Sequence, residues 1–102
     1  MARQLKITAA AAADLDAVQA WLTQPGAGAR ARRKLEHIRD AILDLTLHPC
    51  HWRFGRHAGV RERPVEGYLI MYTVVPDTSD NRTAGNVDVI RIFGPFQSRD
   101  RL

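Results

Sequence analysis

The chain has 102 residues, which suits one domain spanning 1–102 and leaves no room for a second. Its 15 basic and 11 acidic residues give a net charge of +4 and a pI near 10.0, which favours an acidic partner, either nucleic acid or an acidic protein segment. A hydrophobic share of 45% excludes a disordered chain, the single Cys50 excludes an internal disulfide, and no apolar run approaches the length of a membrane helix. The opening Met1-Ala2-Arg3-Gln4 lacks the apolar core of a signal peptide, so a soluble, cytoplasmic protein is expected.

Residues 4–8 alternate apolar and polar positions, Leu5 and Ile7 against Lys6 and Thr8, as a short first strand does. Thr8 can cap a helix whose alanine-rich start has high helix propensity. Leu15, Val18 and Leu22 form its apolar stripe, with Asp14, Asp16 and Gln19 off it, and the turn at Pro25, Gly26 and Gly28 ends it near Thr23. A second helix is expected over 29–47. Leu35, Ile38, Ile42 and Leu45 define its buried stripe, and Arg32, Arg33, Glu36, Arg39 and Asp40 lie opposite, several spaced for ion pairs. His48-Pro49 stops it, and the two helices make an antiparallel hairpin.

Gly55 and Gly59 mark turns before a strand over 60–65 that carries Arg61 and Arg63 on one face. Gly67 connects it tightly to Tyr68–Val75. This strand is apolar on both faces, with Tyr68, Ile70, Tyr72 and Val74 on one and Leu69, Met71 and Val75 on the other, so it should be central. Residues 76–86 read as a polar loop, the most mobile part of the chain, and 87–93 as the last strand. The expected fold is α+β, in the order β-α-α-β-β-β: a short N-terminal strand and a helical hairpin packed on an antiparallel sheet. Leu35, Ile38, Ile42, Leu69, Met71, Ile90 and Ile92 are expected in one contiguous core.

Particular residues within that order carry a family resemblance. The helix end Leu47-His48-Pro49, the turn Gly55-Arg56, the block Arg63-Pro64-Val65-Glu66-Gly67-Tyr68-Leu69-Ile70-Met71-Tyr72-Thr73-Val74 and the strand from Val87 to Phe93 together resemble the RelE/ParE toxin superfamily. The resemblance implies the toxin of a two-gene toxin–antitoxin module. ParE-like members poison DNA gyrase, and RelE-like members cut messenger RNA on the ribosome. Both are neutralised by an antitoxin whose C-terminal segment wraps the toxin. Many members place a histidine and arginines after the last strand, whereas this chain reads Phe93-Gly94-Pro95-Phe96-Gln97-Ser98-Arg99 there. Arg61, Arg63, Arg91 and Arg99 could supply charge to a scissile phosphate, but arginine stays protonated and makes a poor general base. A ParE-like toxin that acts by binding, without catalysis of its own, is therefore the first reading. A RelE-like endoribonuclease and an inactive antitoxin-binding relative are the alternatives.

Arg61, Arg63 and Arg91, with Phe96 and Arg99 in the tail, are the candidate target contacts on an open sheet face. Trp21 and Leu22, beside the hairpin turn, are the candidate antitoxin anchors. Arg30, Arg32, Arg33 and Lys34 read as a solvated face or an antitoxin-facing rim rather than a nucleic-acid patch. His48, Cys50, His51 and His57 cluster, but one thiol beside an adjacent histidine is not the paired spacing of a zinc site, so no metal or cofactor is expected.

Overall fold

Thr8 is the hinge between the first strand and the first helix. Its hydroxyl oxygen accepts from the Ala11 amide at 3.1 Å, capping the helix, while its own amide donates to the Val89 carbonyl at 3.0 Å across the sheet. The computed structural model describes residues 3–95. The elements are β1 (Leu5–Ile7), α1 (Ala9–Leu22), α2 (Gly28–Asp44), β2 (Arg61–Val65), β3 (Tyr68–Val75) and β4 (Asn86–Phe93). This is the expected order. Helix α2 is shorter than expected, since Leu45, Thr46 and Leu47 form turns that close on carbonyls of its last residues.

The sheet order is β1-β4-β3-β2. The last three strands form the expected antiparallel meander, and β1 adds to it in parallel beside β4, so the sheet as a whole is mixed. The β2–β3 turn places Glu66 and Gly67 at φ 53° and 82°. Two positive values in a two-residue connection are the pattern of a type I′ hairpin, whose twist matches the strands it joins. At the other end of β3, a Cβ on Gly85 would stand 2.0 Å from the Val75 carbonyl oxygen, so only glycine closes the 76–86 loop there.

Helix α1 buries Ala11, Val18 and Leu22, and α2 buries Leu35, Ile38, Ala41 and Ile42, against Tyr68, Ile70, Tyr72, Val74, Val87, Val89 and Ile92 of the sheet. The single contiguous core expected from the sequence is corrected to two. Leu69, Met71 and Phe93 pack with Val60 on the opposite face, with Ile90 beside them. Strand period two makes this unavoidable, because odd and even residues of β3 cannot share a face. A bulge in β4 completes the division. Met71 pairs with Arg91 but Tyr72 pairs with Val89, leaving Ile90 as the extra residue. Val89 and Ile92 thus both face the helices while Ile90 turns away.

Met71 is fully buried on the face without helices. Met71→Ala is expected to destabilise by about 2–5 kcal/mol in urea denaturation, as a core truncation does. A change below about 1 kcal/mol would mean that this face is not a packed core.

Candidate functional site

Arg61 and Arg63 alternate on β2 with the side-chain parity of Tyr72 and Ile70, their cross-strand partners. That parity puts them on the helix side of the sheet, which corrects the expectation of an open sheet face. Arg61 is 4% exposed. Its Nε and Nη2 donate to the two carboxylate oxygens of Asp77 at 2.8 and 2.9 Å, and its Nη1 donates to the Trp52 carbonyl at 2.7 Å. Longer bonds reach the Cys50 carbonyl and the Ser79 hydroxyl, and the guanidinium lies 4.0 Å above the Phe54 ring. Hydrogen bonding to Asp77 raises the pKa of Arg61, and hydrogen bonding from Arg61 lowers that of Asp77. Arg61 therefore serves as an internal tie between β2, the segment after α2 and the 76–86 loop, with no donor left for a partner.

Arg63 reaches α2. Its Nη1 donates to the Ala41 carbonyl and to the Asp44 carboxylate, both at 3.0 Å, and its guanidinium stacks 4.5 Å over Trp52. The last turn of α2 has no basic residue of its own, so Arg63 brings the cation that the helix C-terminus favours. Asp44 also accepts from His48 at 3.2 Å. Burial opposes its ionisation, but the bonds from His48 and Arg63 outweigh this and lower its pKa.

Arg91 is held as well. Strand β1 ends opposite Val89, so beyond that register β4 is an open edge. Asp14 fills it: its carboxylate accepts from Arg91 Nε at 2.7 Å and from the Ile92 amide at 2.9 Å. The sequence placed Asp14 off the apolar stripe of its helix. The structure turns it onto a free strand amide, a group that would otherwise offer a pairing edge.

A fourth arginine carried no signal in the sequence. Arg3 donates to the carbonyls of Gly85, Asn81 and Ala84, and to that of Thr46, closing the end of α2 against the 76–86 loop. The loop expected to be most mobile is held by Arg3, by Asp77 and by Asn81, whose side chain accepts from the Cys50 amide at 2.7 Å. Cys50 itself is half-buried, and burial and then nearby Asp77 push its thiol up, away from reactivity.

The cations of α2 present the opposite case. Among the described residues, Arg30, Arg32, Arg33 and Lys34 enter no side-chain hydrogen bond or ion pair, and the ion pairs expected along this face are not formed. Arg39 instead donates to Gln19 of α1 at 2.7 Å. Of the two expected antitoxin anchors, Trp21 is 64% exposed at the hairpin end. Leu22 is corrected to a core residue at 5% exposure, because it continues the Ala11–Val18 stripe that packs on the sheet. Phe96 and Arg99 lie outside the described residues. No group of three or more histidine, cysteine or acidic side chains among the described residues is arranged to hold a metal ion.

The family model for the ParE toxin of type II toxin–antitoxin systems matches residues 5–94, from β1 through the end of β4. The chain belongs to the ParE toxin family. Among solved structures, it is similar to a chain of the chromosomal ParDE toxin–antitoxin system from P. aeruginosa, at 22% identity and a TM-score of 0.69. That match covers 91% of this chain and 96% of the other, so the ParE fold is shared over nearly the whole length of both. No curated protein matches significantly. As a member of this family the protein is a toxin of the type II toxin–antitoxin class. Its strand arginines, which the sequence singled out for the target, are in this member absorbed by the fold.

Proposed function

We propose that this toxin acts in the cytoplasm as one domain that inhibits DNA gyrase by binding it, and that a cognate antitoxin holds it inactive. One observation favours binding over nucleolysis: Arg61, Arg63 and Arg91, the cations an RNA-cleaving sheet would need, are engaged with Asp77, Asp44 and Asp14. A scissile phosphate would have to displace each carboxylate before gaining any charge stabilisation. The proposed target contacts are then Phe96 and Arg99 of the tail, which follows β4 in sequence. Among the described residues no helix is long and apolar enough to cross a membrane, which fits a toxin that meets its target and antitoxin in solution.

The test is a gyrase supercoiling assay run beside a ribosome-programmed messenger RNA cleavage assay. Supercoiling is expected to be inhibited while messenger RNA stays intact, and Phe96→Ala with Arg99→Ala should weaken inhibition at least ~10-fold, the scale of losing interface hot spots. Ribosome-dependent cleavage that is lost in Arg91→Ala would reverse the reading in favour of the endoribonuclease. Inactivity in both assays would favour an antitoxin-binding relative without toxicity.

A further inference from the structure

The end of the molecule away from the helical hairpin carries a cleft of about 650 Å³. It forms where the residues before β1, the turns after α2 and the 76–86 loop meet, and Arg3, Gln4, Thr46, Asn81, Arg82 and Asn86 line it. No carboxylate and no aromatic ring is among its lining residues. Two arginines thus border a polar space that offers little to an apolar ligand and nothing to a cation.

The donors there are fixed in advance. Asn86 Oδ1 accepts from the Gln4 amide at 2.9 Å, and Asn81 Oδ1 accepts from the Cys50 amide at 2.7 Å. A backbone N–H requires the oxygen, so each side chain is locked in one orientation with its NH2 group turned elsewhere. Neither NH2 group has a partner among the described residues. Arg3 spends all but one of its N–H donors on the carbonyls of Gly85, Asn81, Ala84 and Thr46. Those carbonyls fix the guanidinium but carry no net charge, so Arg3 lacks the anion that Arg61, Arg63 and Arg91 each have. Arg82 does have one, Asp80, yet the contacts are 3.3 and 3.4 Å and the side chain stays 89% exposed. An ion pair so open to water contributes little, and a phosphate can replace it at small cost.

We infer that this cleft takes a backbone phosphate of duplex DNA. The guanidinium groups of Arg3 and Arg82 supply the charge, and the amides of Asn81 and Asn86 are the neutral donors that position phosphate oxygens. The lining selects the class of ligand. No ring there can stack a base, so a free nucleotide or a single strand gains little beyond its phosphate. Gln4, Arg82 and Asn86 are exposed at the rim, which lets a continuous backbone pass across. The net charge of +4 draws a polyanion in at long range. The choice of DNA over RNA rests on the gyrase reading above, since gyrase acts on duplex DNA; the toxin then touches the DNA as well as the enzyme.

The experiment follows binding of a labelled short DNA duplex to the purified toxin by fluorescence anisotropy over a salt series, without gyrase. Arg82→Gln/Asn86→Asp keeps the bonds of the fold: the backbone N–H of residue 82 still donates to Asp80, and an aspartate still accepts from the Gln4 amide. It should weaken binding at least ~10-fold at low salt and lower the slope of log affinity against log salt by about 1. Arg82→Gln alone, on an exposed side chain bonded to Asp80 only, should weaken binding ~3-fold or more. Arg30→Gln/Lys34→Gln is the control, matched to the double variant in net charge. Those residues lie near the start of α2, roughly 15–20 Å from its end beside the cleft, and their loss should change affinity less than ~3-fold. An equal loss in the cleft and control variants would reduce the effect to net charge and overturn the site. Displacement of the duplex by ATP as readily as by unlabelled duplex would assign the cleft to a nucleotide and overturn the occupant. An RNA duplex of the same sequence bound ~10-fold tighter than the DNA would overturn the choice of nucleic acid. No binding of the duplex by the unaltered toxin would overturn the inference and leave the gyrase reading standing, because the supercoiling assay decides that by itself.

Discussion

Asp77→Ala is expected to cost about 3–5 kcal/mol, the scale of removing one partner of a buried ion pair. The reason is the guanidinium left behind. Arg61 is 4% exposed and cannot regain water without opening the contact between β2 and the segment after α2. Two carbonyls and the Phe54 ring would still face it, but no anion would. In a domain of this size the melting temperature should fall by more than ~10 °C. The double variant Arg61→Met/Asp77→Leu should recover most of the loss, because replacing a buried pair by apolar side chains of similar volume is close to neutral. The pH dependence has a defined sign. Asp77 has a lowered pKa in the fold, so its contribution is complete above the unfolded carboxylate value of about 3.9 and is lost as pH falls through the lower folded value. Urea denaturation from pH 7 down to pH 3 should therefore lose stability chiefly below about pH 4, and less steeply in Asp77→Ala. A loss under about 1 kcal/mol for Asp77→Ala at pH 7 would show that Arg61 is not held as described.

Tyr72→Ala is expected to cost about 3–5 kcal/mol, on the scale of removing a buried aromatic ring. Tyr72 is fully buried at the centre of β3, packed among the side chains of both helices, and its hydroxyl donates to the Pro49 carbonyl at 2.7 Å. Tyr72→Phe separates the two contributions. It keeps the ring and should cost about 1–3 kcal/mol, the effect of leaving a buried carbonyl without its donor. Burial raises the Tyr72 pKa, so the unfolded chain releases this proton first and stability should fall as pH rises beyond the unfolded value of about 10. That alkaline loss should shrink in Tyr72→Phe, leaving the smaller share of Tyr68, whose pKa burial also raises. Equal stability of Tyr72→Phe and the unaltered protein would remove Pro49 from the account, and a small effect of Tyr72→Ala would remove the ring.

These two residues show where sequence reasoning reached and where it stopped. Tyr72 was legible as a core residue, because its parity with Ile70 and Val74 is a property of neighbouring positions on one strand. The burial of Arg61 was not, since an arginine on an alternating strand looks the same whether it meets water or an aspartate 16 positions away. Trp21 and Leu22 are adjacent and similar in hydrophobicity, yet one is exposed and the other is core. Helical phase separates them by about 100°, and only the seating of α1 on the sheet says which of the two angles faces inward.

The sequence by itself determined the elements, their order and the family. Periods of three to four and of two, a threonine cap, and the glycine that a positive-φ turn position accepts all act over a few residues. The tertiary structure alone decided which charges are spent. The Arg91–Asp14 pair spans 77 positions, and Arg3 closes on carbonyls up to 82 positions away. The bulge at Ile90 likewise emerges only when β4 is laid against β3, and it sorts the last strand between two cores. Pairing energies of this kind depend on distance in space, which local sequence patterns do not encode. They consume the strand arginines inside the fold and leave the cations of α2 facing outward beside Trp21.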